Sequence, residues 1–204
     1  MSSAPAVYTI GHSTHSLQRF MALLEQHRIS ALADIRSMPY SRRYPQFNRE
    51  TLRDRLRGIG IGYVFLGSEL GGRGDGSTPL SVDGRVQYRA LAATKEFAAG
   101  ISRLRRGSVN LRIVLMCSEG EPLSCHRSLL VGRELTRLNV PVMHILPNGD
   151  IEDHCTSERR LLTLVGLPQP DELFRSDEDA IADAYALQEA RVAYLPSAPG
   201  ERTV

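Results

Sequence analysis

Short apolar runs of strand type alternate with helix-type stripes along most of this 204-residue chain, and that alternation restricts the fold more than any other feature. The runs fall at residues 7–10, 29–35, 62–66, 113–116 and 141–146, each too short for a stable buried helix. Between them, Leu17, Phe20, Met21, Leu24 and His27 recur at helical intervals behind a capping Ser16. Asn48 is placed to cap a short helix that Gly58 ends, residues 88–104 read as one helix, and Ser157 opens another through Val165. Strand followed by helix, five times over, predicts an α/β fold: a mainly parallel five-stranded sheet with helices on both faces. In such a sheet the carboxyl ends of the strands share one edge.

The densest stretch for chemistry is residues 111–138. A buried-type strand ends at Cys117, turn residues follow through Pro122, and Ser124 is a predicted N-cap for a helix with an inward stripe of Leu129, Leu130, Leu135 and Leu138. Cys117, Glu119, Cys125, His126 and Arg127 are thus predicted between a strand end and a helix start. Ligands bind at that place in open α/β sheets, and a helix start offers N–H groups to an anion. Residues 67–84 form a long loop with Gly71, Gly72, Gly74 and Gly76. A loop of that length is a lid, a binding loop or a disordered segment, and its glycines predict mobility without ligand. The pattern changes after Pro168, which divides the chain into an α/β domain at 1–167 and a C-terminal helical extension and tail at 168–204. Ser176 starts the extension's helix, which carries Ile181, Ala184, Tyr185, Gln188 and Val192, and the chain frays from Pro196.

Hydrophobic content of 42% and charged content of 24% are those of a soluble globular protein. No apolar run nears the roughly 20 residues of a membrane helix, and the first residues lack the basic and apolar regions of a signal peptide. With three cysteines, an odd number, the expectation is a cytoplasmic protein without a disulfide framework. Lys95 is the sole lysine beside 24 arginines, a bias that a genome rich in G and C explains by itself. Position is more informative. Arg36, Arg42, Arg43, Arg49, Arg53, Arg55 and Arg57 cluster, while 171–189 is acidic, which suggests an anionic partner near the first segment.

The polar residues of interest follow strands: Gly11-His12-Ser13, Asp34-Ile35-Arg36 and Cys117-Ser118-Glu119. His12 is a candidate acid, base or anion donor, or a loop-holding hydrogen-bond partner. Asp34 is a candidate base or orienting group for His12, or simply the partner of Arg36. Glu119 completes the acid/base set. Cys125, beside His126 and Arg127 in the predicted first helical turn, is the candidate nucleophile. Ser13, Arg36, Ser41, Arg42, Cys117, His126 and Arg127 are the candidate anion- and substrate-binding set, although Cys117 also reads as a packing residue and Arg127 as a partner for Glu119 or Asp34. A zinc set of Cys117, Cys125 and His126 with Cys155 or His154 lacks the compact pairs of structural zinc sites, so no metal and no other cofactor is expected. Arg127 lies ten residues after Cys117 and two after Cys125, and neither gap is that of a Cys-based phosphatase or rhodanese loop.

Residues 8–13 (YTIGHS), 34–42 (DIRSMPYSR), 70–72 (LGG), Cys117-x-Glu119 and Cys125-His-Arg127 together resemble the domain-of-unknown-function family 488, from Tyr8 to about Leu164. His144 and residues 149–154 resemble its last motif, so His154 is a position that the resemblance alone suggests. The resemblance implies an α/β domain with these motifs at its site and leaves the reaction open. Three functions are carried forward. The first is an enzyme, with hydrolysis favoured and N-glycosidic hydrolysis as a subtype, acting on a phosphate-bearing nucleotide or nucleic acid at the strand ends. The second is a non-catalytic nucleotide or nucleic-acid binding module. The third is sulfur or acyl transfer on Cys125.

Overall fold

Each apolar run becomes a strand in the computed structural model, which describes residues 4–168 and 176–196. These are β1 (Val7–Gly11), β2 (Ala31–Asp34), β3 (Gly62–Phe65), β4 (Ile113–Cys117) and β5 (Val142–Ile145). A sixth, β6 (Ile151–Asp153), runs antiparallel along β5, so the sheet has six strands rather than five. Its three residues are exposed or half-buried, so no apolar run marks it in the sequence. The strand order is β3-β2-β4-β1-β5-β6, and every other neighbouring pair is parallel.

The helices are α1 (Leu17–Gln26), α2 (Arg49–Gly58), α3 (Gly67–Leu70), α4 (Tyr88–Ala92), α5 (Lys95–Ser108), α6 (Arg133–Arg137), α7 (His154–Val165) and α8 (Asp177–Val192). Successive strand residues point to opposite faces, so the strands feed two cores. Tyr8, Ile10, Leu32, Val114 and Met116 pack with Phe20, Leu23 and Leu24 of α1 and Leu52 and Leu56 of α2. Val7, Ala31, Ala33, Ile113 and Leu115 pack on the other face with Phe97, Ile101 and Leu104 of α5. Ala180, Ala184 and Tyr185 of α8 enter that second core, so the C-terminal helix is built into the α/β domain. The connections from β1 to β2 and β3 step one way along the sheet, and those from β3 to β4 and β5 step back. The reversal falls beside the carboxyl end of β4, where flanking loops diverge to opposite faces and leave a crevice.

Local chemistry explains where the elements depart from the sequence reading. Ser16 and Ser176 do cap α1 and α8, accepting from Arg19 N and Asp179 N. The helix predicted for 88–104 is two helices, because Thr94 takes the N-cap role and accepts from Phe97 N. α7 starts at His154 rather than Ser157, capped by Asp153. Ser124 caps nothing. Pro122–Ser124 is a 3-10 turn, Cys125 is extended, and the helix opens at Arg127 as a π-helical segment (Arg127–Gly132) before α6. Leu129, Leu130 and Leu135 are buried as expected, but Leu138, the C-cap residue just past α6, is 43% exposed. The Gly-rich loop begins with the helical turn α3 and is tied back by Arg73 N on Ser37 Oγ and by a Leu80–Val86 bridge. The expected fraying after Pro196, like the acidic residues 171–175, lies outside the described residues.

Candidate functional site

The register of the parallel pairs sets the turns after β1, β2 and β4 side by side. Gly11 is level with Cys117, and Asp34 with Met116. His12 N donates to Cys117 O at 2.9 Å, Ser13 N to Ser118 O at 2.8 Å, and Ile35 N to Met116 O at 3.2 Å. The approach is so close that a Cβ on Gly11 would lie 1.7 Å from Glu119 O. Gly72 serves the same purpose from the other side, where a Cβ would lie 2.8 Å from the His126 ring. Between these turns is a cavity of about 170 Å³, walled by Arg36, Ser37, Met38, Gly72, Arg73, Tyr88, Cys117, Ser118, Glu119, Ser124, Cys125, His126, Val192 and Tyr194.

Two thiols, an imidazole and a carboxylate meet on its wall. Cys117 Sγ donates to Glu119 Oε2 at 3.0 Å. His126 Nε2 is 3.0 Å from the carbonyl of Ile35, which can only accept, so Nε2 carries a proton there. Nδ1 then faces Cys117 Sγ at 3.6 Å and Cys125 Sγ at 3.7 Å. Desolvation pushes the Glu119 carboxyl up, but hydrogen bonds from Cys117 and Cys125 outweigh it and hold the group below its ordinary value. Burial would lower His126, yet the neighbouring Cys125 and Glu119 raise it overall. Cys125 is 3% exposed, and burial, then Cys117 and Glu119, push its thiol well above the ordinary range. Burial therefore counters the helix-start activation expected for Cys125, which weighs against it as a free thiolate nucleophile.

The arginines have more specific duties than the sequence suggests. Asp34 is fully buried and receives Arg36 Nε at 2.9 Å, Arg36 Nη2 at 2.6 Å and Tyr63 Oη at 2.8 Å, while Nη2 also reaches Phe47 O. Asp34 thus holds Arg36 rather than orienting His12. Arg36 Nη1 keeps both protons without a partner among the described residues, and the residue borders the cavity. Arg127 has no exposed surface, and its guanidinium closes the β4 loop by donating to Glu119 O and to Gly120 O. It is a structural clasp, not an anion clamp. The helix-start amides expected to meet an anion are largely taken as well: Ser124 N by Glu121 O, Cys125 N by Pro122 O and Arg127 N by Cys125 Sγ.

His12, Ser13, Ser41 and Arg42 stand outside the cavity wall. His12 is 3% exposed, stacks on Phe47 at 4.4 Å and bonds Ser13 O, and burial pushes its pKa down, so it is a neutral packing group here. Ser13 adopts a positive φ of 47° to turn the chain. Ser41 organises the loop after β2, bonding Asn48 Oδ1 through its amide and Tyr44 N through its hydroxyl. Arg42 is exposed with no ionic partner among the described residues. Arg73, which has no counterpart among the candidate residues of the sequence, also borders the cavity and lies over the Tyr194 ring at 4.6 Å. Its place in the Gly-rich loop was the available signal; nothing in the sequence ties Val192 or Tyr194 to this crevice.

His154 belongs to a separate buried chain. Tyr185 Oη donates to Glu158 at 2.9 Å, so His154 Nε2 donates to Tyr185, His144 Nε2 to His154 Nδ1 at 3.0 Å, and Thr9 Oγ1 to His144 Nδ1 at 2.7 Å. Burial pushes His154 down to about 4 and, with His154 beside it, His144 well below the ordinary value. The histidines are neutral links in the core beneath β1 and β5.

Fold and site together define a doubly wound α/β protein with a thiol–imidazole–carboxylate crevice at its switch point. The chain belongs to the family described as Domain of unknown function DUF488, whose model matches residues 16–133. That span holds Asp34, Arg36, the Gly71-Gly72 pair and the Cys117-to-Arg127 loop; His12 and His154 fall outside it. No curated protein and no solved structure matches the chain.

Proposed function

We propose that the crevice binds a phosphate-bearing ligand, a nucleotide or a stretch of nucleic acid, and hydrolyses it. The observation that carries this reading is the mixture of charge around one small cavity, where Arg36 and Arg73 line the same wall as Glu119. Asp34 and Phe47 hold Arg36 in place, so Nη1, without a partner among the described residues, can serve a phosphate oxygen with less side-chain freedom left to lose. A carboxylate repels phosphate, so Glu119 acts on water or a proton instead. In the N-glycosidic subtype, Glu119 takes a proton from water, the water oxygen bonds to the sugar carbon as its bond to the base breaks, and that proton passes to the departing base. From the wall outward, Met38 is 59% and Tyr40 52% exposed, near the exposed Arg42 and Arg43. Apolar and aromatic surface interleaved with arginine suits stacked bases and their phosphates.

The test is product release from mononucleotides and a short single-stranded oligonucleotide, followed by mass spectrometry. Glu119→Gln is expected to lower turnover by about 10²–10⁴-fold while binding persists. Arg73→Ala is expected to weaken binding by about tenfold, one charge-assisted hydrogen bond's worth. Turnover by Glu119→Gln at the wild-type rate would remove Glu119 from the chemistry. Binding with no turnover in the wild type would leave a nucleotide-binding module.

A further inference from the structure

We propose that Cys117, Cys125 and His126 form a binding site for one zinc-type divalent cation, with its fourth position open to the crevice. The proposal rests on reading that crevice as the functional site and gives it a metal. Sequence spacing argues against such a site because seven residues separate the cysteines. The fold removes that objection: the loop returns through the Pro122–Ser124 turn, and Arg127 clasps Glu119 and Gly120 to keep it there.

The three donor atoms lie within 4.8 Å of one another. Zinc–sulfur bonds of about 2.3 Å and zinc–nitrogen bonds of about 2.0–2.1 Å at a tetrahedral angle place sulfur and nitrogen about 3.6 Å apart. The observed separations from His126 Nδ1 are 3.6 Å to Cys117 and 3.7 Å to Cys125. The imidazole is also oriented as a ligand. Its Nε2 is committed to the Ile35 carbonyl, an outer contact that directs the Nδ1 lone pair at the sulfurs. Without a cation the Cys117 proton goes to Glu119 and the Nδ1 lone pair serves at most Cys125, whereas one cation binds both sulfurs and the nitrogen. Arg127 N, 3.4 Å from Cys125 Sγ, supplies an amide donor to that sulfur. Two thiolates with one imidazole select zinc over magnesium or calcium, and their two charges neutralise the ion in a buried place. Glu119 Oε2, 3.0 Å from Cys117 Sγ, then borders the open position, where it receives the proton of a water there.

The experiment uses the full chain, stripped with a chelator and titrated with cobalt(II) as the spectroscopic probe, then with zinc. Expected are one cobalt per chain, visible bands of tetrahedral coordination, a near-ultraviolet thiolate charge-transfer band, and their loss on adding zinc. Cys117→Ser and His126→Gln should each weaken binding by roughly a hundredfold or more, while Cys155→Ser and Glu119→Gln keep wild-type bands. Absence of the bands in the wild type would overturn the proposal without relying on any variant's folding. So would their loss in Cys155→Ser, or loss in Glu119→Gln as complete as in Cys117→Ser, which would close the fourth position. Nucleotide turnover without cobalt bands would sink the metal alone, and cobalt bands without nucleotide binding would sink the phosphate reading alone.

Discussion

Replacing Arg127 with alanine is expected to lower stability by about 3–5 kcal/mol, because it empties a fully buried site and leaves two part-buried carbonyls without their donor. Arg127 has no exposed surface, and Glu119 O and Gly120 O are its acceptors. Its Nε has no partner among the described residues, so the guanidinium's hydrogen bonds are the two to the carbonyls it clasps. For a domain of this size each kcal/mol is worth about 2–4 °C, so the melting temperature should fall by roughly 10 °C. Arg127→Lys should recover only part of that, since a point charge cannot span both carbonyls. At a temperature where Arg127→Ala is still folded, its nucleotide affinity should be close to wild type. Unchanged melting with lost affinity would instead make Arg127 a ligand-binding group.

Acid should unfold the protein well before its carboxylates are all protonated. An unfolded histidine takes its proton near 6.5, but burial pushes His154 down to about 4, against the opposing charges of Asp153 and Glu152. Between those two values the unfolded chain binds more protons than the fold, so stability is complete above about pH 6.5 and falls as pH drops toward 4. His154 alone accounts for roughly 3 kcal/mol across that window. His144 is coupled to it and also lowered by burial, so the pair shares the effect rather than doubling it. Glu158, raised by burial, works in the opposite sense, stabilising at low pH and losing that contribution as pH rises. The denaturant midpoint should therefore drop steeply from pH 7 to 4.5, and His154→Gln should flatten that slope while lowering stability at pH 7. A midpoint constant over the same range in the wild type would contradict the neutral-histidine chain.

Much of this architecture is written in local pattern. β1 and β4 are buried along their whole lengths, so their apolar runs announce them, and the caps at Ser16 and Ser176 are side-chain chemistry within three residues. β6 is not so marked. It is held by pairing with β5 and by Arg160, which bridges Glu152 to Glu121 of the β4 loop, and such long-range ties leave no periodic trace. Strand ends located Asp34, Cys117 and Glu119 beside one another, since parallel pairing makes that edge common. Their roles were not legible, because they depend on where side chains turn. Asp34 faces Arg36 and Tyr63 instead of His12, and His12 packs on Phe47. The helix start after Cys125 was misplaced because Ser124 has a capping residue's chemistry, whereas Pro122 imposes a separate turn first.

Mapping a bound mononucleotide by amide chemical shifts tests the central claim most directly. Titrating adenosine monophosphate into isotope-labelled protein should move the amides of Ser37, Gly72, Arg73, Ser118 and His126, which border the crevice. A second cavity, of about 790 Å³ between α4, α6 and α8, is lined by Ala92, Leu130, Glu134 and Ile181. The account predicts that those four amides stay in place at saturation. Shifts confined to them, with Gly72 and His126 unmoved, would contradict it.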